Sequence, residues 1–355
     1  MKNEILMVGG ILKSKLVKKP YKLNFAVTSL CNSKCTTCNI WKTYKDNPKK
    51  LKEELNLKEI QEIFSKLPKT IIWLSLTGGE PFLKENFEEI IISAMKTMNN
   101  LRMISIPSNG LATERILKMV NKIMKTKKEI RIIVTLSIEG PEKIHNKIRG
   151  VGDGFKKSWE TYEKLKELSK KYKNFNVSIE TTISKYNIDY LPQFIEKLIK
   201  GGNELTLTIA HNAALYKNEK NSKLMPSQIN KIKKIVQIAI NGKKYLNPKN
   251  RIESIFLKNL PEYAINPKKS VMPCYALKSS ISLDQNGNVL PCLMWGMNLG
   301  NVRDYGYDIK RIISSKKAFC VMNTIKNKRC PNCWTPCEGY QSVIGNLINM
   351  KISPF

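Results

Sequence analysis

The sequence predicts an α/β protein: a partial, TIM-like (β/α)6 barrel followed by a small cysteine-rich domain. Three observations carry that expectation. Between residues 22 and 212, six short runs rich in β-branched and apolar residues alternate with segments of helical apolar spacing. That alternation implies parallel strands with right-handed crossovers. Glycine and polar motifs fall at the carboxyl ends of the runs, where such sheets carry their chemistry. The cysteines gather in two places, 31–38 and 274–337, rather than scattering.

Residues 1–21 read as a short lead-in helix stopped by Pro20. The first strand covers 22–28 and runs into the first cysteines. The charged stretch 42–54 reads as loop. A helix over 57–67 has apolar residues at helical spacing. The second strand covers 71–76 and ends at Thr77, with a helix over 86–97. The third covers 103–106, with a helix over 112–124. The fourth covers 131–138, with a long charged helix over 155–171. The fifth covers 177–183, with a helix over 191–200. The sixth covers 205–209 and ends at Ala210-His211-Asn212. These near-continuous β-rich runs fit strands buried on both faces. Six units are too few for a closed eight-stranded barrel. A helical connector follows over 213–269, with helices near 227–240 and 252–264, and the cysteine-rich domain spans 270–355.

A chain of 355 residues accommodates one large and one small domain. No apolar run approaches the length of a membrane span. The apolar stretch Ile5–Leu12 is followed by lysines and no small-residue cleavage site, so it is read as a helix rather than a signal peptide. Nine cysteines without a secretion signal imply a reducing compartment, the cytoplasm, with thiols kept for metals. The formal charge of +32 suits a polyanionic partner in principle. The lysines, however, are spread over every helix with no stripe of interleaved aromatics, which argues for compositional bias over nucleic acid.

Cys31, Cys35 and Cys38 lie within eight residues. Thiolates packed this closely in a loop can serve an iron–sulfur cube, and three ligands leave the fourth iron open to a substrate or cofactor. A zinc knot is the competing assignment, but it asks for a fourth Cys or His nearby. After the second strand comes Gly78-Gly79-Glu80-Pro81, whose glycines allow close backbone approach to a ligand. Ser137 closes the fourth strand and Arg149 follows twelve residues on; arginine with a hydroxyl suits a carboxylate. Ser108 and Asn109 close the third strand and serve either a ligand or the turn before the helix. His211 at the end of the sixth strand offers a ring for proton transfer or substrate contact. Glu180, inside the fifth, is a charge that needs a partner if it points into the barrel.

Cys-x3-Cys-x2-Cys followed at this distance by Gly-Gly-Glu-Pro resembles the radical S-adenosylmethionine (SAM) superfamily. The resemblance covers nearly the whole chain and implies a [4Fe–4S] cluster on Cys31, Cys35 and Cys38 whose open iron binds SAM. It implies that Gly78, Gly79, Glu80 and Pro81 meet the SAM amino group, that Ser137 and Arg149 hold its carboxylate, and that Ser108 and Asn109 line its ribose side. Thr37 stands where the family usually has an aromatic residue, and Glu139 where many relatives have aspartate. His145 occupies a family-typical position and is read as a structural hydrogen bond; Trp41 either covers the site or packs as an interface residue. The implied activity is reductive cleavage of SAM to a 5′-deoxyadenosyl radical that takes hydrogen from a substrate carbon, with an electron donor such as ferredoxin or flavodoxin.

The C-terminal cysteines are Cys274, Cys292, Cys320, Cys330, Cys333 and Cys337. A hairpin with an Asn286-Gly287 turn brings Cys274 and Cys292 to one place. The set resembles the SPASM/twitch extension of the same superfamily, and its count implies one auxiliary [4Fe–4S] cluster held by Cys274, Cys292 and two of Cys330, Cys333 and Cys337. A structural zinc is the alternative. Cys320 stands apart and is read as a small buried hydrophobe. Together the resemblances imply oxidation or cross-linking of a peptide or protein side chain, or else action on a small molecule or lipid precursor. Only thirty residues precede Cys31, too few for a leader-binding domain, so a peptide substrate would call for a separate leader-binding protein. The reading from another class is a non-enzymatic zinc or iron–sulfur protein on nucleic acid. It leaves the strand-end motifs unexplained.

Overall fold

A computed structural model of the chain describes residues 2–352 apart from 46, 127–128, 219–223, 225 and 243–247. Six strands run parallel and pair in chain order: β1 (Lys22–Thr28), β2 (Trp73–Gly78), β3 (Met103–Ser108), β4 (Arg131–Ser137), β5 (Phe175–Ile183) and β6 (Leu205–Ile209). Helix α1 (Lys2–Leu16) precedes them. The crossovers carry α2 (Leu57–Lys66), α3 (Phe87–Thr97), α4 (Thr113–Met124), α5 (Glu142–Arg149), α6 (Gly154–Lys171) and α7 (Leu191–Lys200). After β6 come α8 (Ile229–Asn241), α9 (Pro248–Lys258), α10 (Leu260–Ile265), α11 (Ile309–Ile313), α12 (Lys316–Lys326) and α13 (Pro336–Ile352).

Local chemistry accounts for the helix ends. Asn56 caps α2 and Glu59 reaches back to the Asn56 N–H, a reciprocal capping box. In α4 the buried residues Ile116, Met119, Val120 and Ile123 fall on one stripe that packs inward. The single helix expected over 252–264 is two, α9 and α10. Pro261 stands in the first turn of the second, where its missing N–H costs nothing. The stretch 42–54, expected as plain loop, follows a 3-10 turn at Ile40–Lys42 and contains another at Pro48–Glu53.

The sheet does not stop at six strands. β7 (Ser280–Leu283) pairs parallel to β1 on its far side, Leu23 opposite Ile281, and antiparallel β8 (Asn288–Leu290) and β9 (Gly300–Asn301) complete a nine-stranded sheet. The segment after residue 270 therefore shares the sheet of the barrel. The turn at Gly287 (φ +87°) is held by Asp284, whose carboxylate accepts from the N–H groups of Asn286 and Asn288.

The expectation of strands buried on both faces needs correction. β1 is fully buried, but β3, β4 and β5 alternate. Ile104, Ile106, Ile132, Val134, Leu136 and Ile179 pack in the main core. Ser105, Thr135, Ser178 and Glu180 stand on the opposite, half-buried face. A curved sheet with helices outside leaves its inner face to line a hollow, so the inner positions are polar where the outer are aliphatic. Cys320 is likewise not buried. α12 turns Ala318, Val321 and Ile325 inward, and Cys320 falls on the exposed side.

Candidate active site

The cysteine loop leaves β1 through a hub that the sequence reading passed over. Glu54 is buried and accepts at one oxygen from Thr28 Oγ (2.7 Å), the Ser29 N–H (2.9 Å) and Tyr44 OH (2.6 Å); its other oxygen pairs with Lys84 (2.8 Å). The only signal in the sequence was a glutamate at the end of a lysine-rich stretch, where a solvated charge is the ordinary expectation.

The loop is then clamped from two sides. Lys34 N–H donates to Arg149 O (2.9 Å) and Thr36 N–H to Ile148 O (2.8 Å), so the carboxyl end of α5 holds one side. Gly150 terminates α5 in the left-handed region (φ +64°), and a β-carbon there would stand 2.6 Å from Lys34 O. Only glycine fits that approach. On the other side Asn39 N–H donates to Tyr216 O (2.7 Å) and Asn218 Nδ2 to Thr37 O (2.7 Å).

Gly78 and Gly79 pack against the exit of β1. Gly78 has φ +129°; β-carbons on the two residues would lie 2.1 Å from Thr28 O and 2.2 Å from Leu30 O. The Gly79 and Glu80 N–H groups donate to those same carbonyls (2.7 and 2.8 Å). The glycine pair thus presses against the exit of β1 and fixes the root of the cysteine loop. Glu80, next in the chain, is buried and accepts from Ser108 Oγ (2.9 Å), the Asn109 N–H (2.6 Å) and the Phe82 N–H (3.2 Å). Burial pushes its carboxyl up to about 7 against these bonds. Glu80, Ser108 and Asn109, three residues singled out separately, therefore form one network at the ends of β2 and β3.

Two nitrogen donors from this frame reach the thiols. Asn109 Nδ2 lies 3.9 Å from Cys31 Sγ and bonds Asn32 Oδ1 (2.7 Å). Arg149 Nη1 lies 3.6 Å from Cys35 Sγ, while Nη2 pairs with Glu139 and Nε is buried with no partner. Glu139 is itself fixed by the Thr182 N–H (2.8 Å). Burial, with a smaller push from the neighbouring thiols, raises Cys31 to about 11 and Cys38 to about 12. Three thiols within electrostatic reach of one another, with N–H donors aimed at two of them, are the donor set that an iron–sulfur cluster uses. Among the described residues no three His, Cys, Asp or Glu side chains converge on a single metal point; a cluster asks less, because each thiolate binds a different iron. Trp41 lies beside this loop with its Nε1 buried and unbonded, and Lys42 Nζ stands 5.3 Å from its ring centroid.

Ser137 and Glu180 are register partners across β4 and β5. Burial and the charge of Glu139 push Glu180 up to about 7. His145 is buried, accepts the Glu139 N–H at Nδ1 (3.2 Å), and is held neutral by burial and the Arg149 charge, down to about 3. His211 does not take the role expected of it. Its Nδ1 donates to Ile209 O, its Nε2 accepts the Trp334 N–H (3.1 Å), and its ring stacks on Tyr263 at 4.7 Å. Both nitrogens are spent, and burial lowers the ring to about 4. His211 is a fastener between β6 and the residue after Cys333.

The second cysteine set divides. Cys274, Cys292, Cys330 and Cys333 line one cavity with Trp334 and Glu338. Cys274 feels the charges of Cys330 and Cys333, and Cys292 those of Cys274 and Cys333. Cys337 is not in that cavity. Its carbonyl accepts from Lys22 Nζ (3.0 Å), and its thiol, raised by burial to about 11, feels Lys22 and Glu180 on the barrel side. The four cavity thiols fit a second cluster, with Cys337 outside it. Tyr216 stands between the two sets: burial holds its phenol well above its ordinary value, and Cys38, Cys333, Cys337 and Glu180 all add to that.

A family model described as the Radical SAM superfamily matches residues 25–209, and a SPASM model, described as an iron–sulfur cluster-binding domain, matches 274–338. Among curated proteins, the sporulation killing factor maturation protein SkfB of Bacillus subtilis (strain 168) is 28% identical over 199 residues, 56% of this chain. The match covers 43% of that relative, less than half its length. Among solved structures, anSMEcpe with bound AdoMet and Cp18Cys peptide aligns with a TM-score of 0.62 at 18% identity, covering 93% of this chain and 98% of that one. The same protein with AdoMet and Kp18Cys peptide also aligns at 0.62. At such identity the likeness speaks to the fold alone.

Proposed function

We propose, from the premise that this chain belongs to the radical SAM superfamily and carries an auxiliary iron–sulfur domain, that it is an enzyme which oxidises or cross-links a peptide or protein side chain. The observation that carries the reading is the placement of two separate thiol sets in one sheet-bound body. Cys31, Cys35 and Cys38 lie at the end of β1, Cys274, Cys292, Cys330 and Cys333 line a second cavity, and Tyr216 is within electrostatic reach of both sets. When bound, a [4Fe–4S] cluster with SAM supplies one-electron cleavage of SAM and removal of a hydrogen atom from substrate carbon.

The chain's own contribution is position and charge. Cys31, Cys35 and Cys38 hold the first cluster on a loop clamped by α5 and by residues 216–218. The buried Glu80–Ser108–Asn109 network and the Glu139–Arg149 pair frame the ends of β2 to β5. Arg149 and Ser137 are the candidates for a SAM carboxylate, and Arg149 Nε is a buried donor still free for one. The half-buried polar inner face, with Glu180 among its members, is where a substrate side chain enters.

A peptide substrate is supported by the names of the relatives: SkfB is a maturation protein for a killing factor, and anSMEcpe carries peptides in its structures. The electron donor is ferredoxin or flavodoxin, a separate protein presents any leader segment, and the compartment is the cytoplasm. The test is anaerobic reconstitution followed by iron and sulfide counts and assay of SAM cleavage. About eight irons per chain are expected, with 5′-deoxyadenosine formed by the wild type and not by Cys35→Ala. Tightly bound zinc with no SAM cleavage overturns the proposal.

A further inference from the structure

Helix α1 is apolar on two sides. Its inner side seats Met7 and Ile11 against Tyr21, Ile72, Ile344 and Ile348, and Gly10 lets Ile72 approach closely. Its outer side carries Ile5, Val8, Leu12 and Leu16, which are 71%, 57%, 41% and 83% exposed. At 3.6 residues per turn these four fall within about 80° of arc, so they form one stripe along the helix. Six of the twelve large apolar side chains exposed among the described residues lie in 5–17, with Leu6 and Val17 completing the set. A helix on the surface of a globular protein ordinarily turns polar residues outward, as α6 does with its lysines and glutamates. An apolar stripe of this length marks a contact.

Charge chooses the occupant. Lys13, Lys18 and Lys19 are exposed beside the carboxyl end of the stripe, on a chain of formal charge +32. A second copy seated on the stripe would bring two such cationic faces together. An anionic lipid headgroup meets the same lysines with opposite charge while its acyl boundary takes the leucines. We propose that α1 docks this protein on an anionic membrane surface, lying in the interface with Ile5, Val8, Leu12 and Leu16 turned into the lipid. No helix among the described residues is long and apolar enough to span a membrane, so the attachment is peripheral.

The test is co-sedimentation of the full-length reconstituted protein with vesicles of phosphatidylcholine, alone or with about a third phosphatidylglycerol, at low and high salt. A cationic protein adheres to anionic vesicles by charge alone at low salt, but high salt screens that attraction and leaves the apolar part. The wild type is expected to bind the anionic vesicles at both salts. The Ile5→Gln/Leu12→Gln/Leu16→Gln variant keeps helix-forming residues at exposed positions and should melt with the wild type. It should lose on the order of a hundredfold in partition at high salt. Lys13→Glu/Lys18→Glu/Lys19→Glu should lose the preference for phosphatidylglycerol. Equal binding by wild type and the glutamine variant overturns the proposal, as does wild-type protein that stays in solution at high salt. A wild-type dimer that the glutamine variant converts to monomer overturns it too, by assigning the stripe to a second copy.

Discussion

Replacing His211 with alanine separates a fastening role from a catalytic one. The ring makes three contacts at once: the bond from Nδ1 to Ile209 O, the Trp334 N–H accepted at Nε2, and the stack on Tyr263. Removing the first bond costs about 1 kcal/mol, and stranding the buried Trp334 N–H costs about 1–3 kcal/mol. The lost stacking adds about 0.5–1.5 kcal/mol. The sum, roughly 3–5 kcal/mol, is a large share of a stability of about 5–15 kcal/mol. It falls on the residue following Cys333, while the Trp334 indole stays bonded to Phe256 O. His211→Ala is therefore expected to lower the denaturation midpoint and reduce iron from about eight toward about four per chain, with SAM cleavage retained. His211→Gln, which keeps an acceptor, should recover part of the iron. Two results refute the reasoning. One is an unchanged midpoint with full iron. The other is full iron with SAM cleavage abolished, which would return His211 to the reaction.

Four further outcomes follow from the geometry. Gly150→Ala places a β-carbon 2.6 Å from Lys34 O at φ +64°; it should cost about 1–3 kcal/mol and speed loss of iron from the first site to a chelator. Arg149→Gln withdraws a cation from Cys35 Sγ, and a cation there favours the reduced cluster. The midpoint potential without SAM should therefore drop, by about tenfold in the reduced-to-oxidised ratio or about 59 mV, and an unmoved potential defeats the argument. Cys333→Ser should lose about four irons and Cys337→Ser none, because Cys333 lines the cavity with Cys274, Cys292 and Cys330 and Cys337 does not. The chain has two histidines, held neutral down to about 3 at His145 and about 4 at His211. With both folded values below the ordinary one, the unfolded chain binds more protons as pH falls. The histidine contribution to stability is thus full above pH about 6.5 and is lost as pH falls, while the buried carboxyls of Glu80, Glu180 and Glu338, pushed up to about 7, contribute with the opposite sign; between pH 7 and 5 the urea midpoint of His145→Gln should therefore rise relative to that of the wild type.

The parallel strands were legible because each is a compact β-rich run bounded by turn residues, and β1 and β6 have the bounds expected. What escaped depended on contacts between distant residues. α5 is eight residues of mixed polarity after Pro141, too short for its period to stand out, yet its end clamps the cysteine loop. The hairpin at Gly287 was legible from its turn. Its parallel pairing to β1 was not, because nothing local specifies a partner more than 250 residues away. The glycines after β2 were read toward a ligand, but their nearest atoms are Thr28 O and Leu30 O, which no spacing rule reveals. His211 looked available because a strand-end histidine is exposed to reaction unless something covers it; Trp334 and Tyr263, which do, come from elsewhere in the chain.

The C-terminal helix spans the open side of the barrel, and this accounts for why Cys337 is not with its neighbours. α13 begins at Pro336. Glu338 then accepts from Asn24 Nδ2 (3.2 Å) on β1 and Ser280 Oγ (2.6 Å) on β7. Two residues later Tyr340 OH meets Thr206 Oγ (3.0 Å) on β6. β6 and β7 are the two ends of the parallel run, so α13 bridges the opening that further strands would fill in a full barrel. Lys22 bonds the Cys337 carbonyl and Tyr21 OH bonds Gln341, both from buried positions. Stripping α13 away would break one hydrogen bond at each of Lys22, Asn24, Ser280 and Tyr21, a cost of about 0.5–1.5 kcal/mol apiece. The barrel and the segment after residue 270 are therefore interdependent. Cys337 sits one residue before Glu338 at the start of this bridge. Its direction is set by where the helix must begin to reach both edges of the sheet, and that turns it toward Lys22 and Glu180 while Cys330 and Cys333, still in the loop, face the other cysteines.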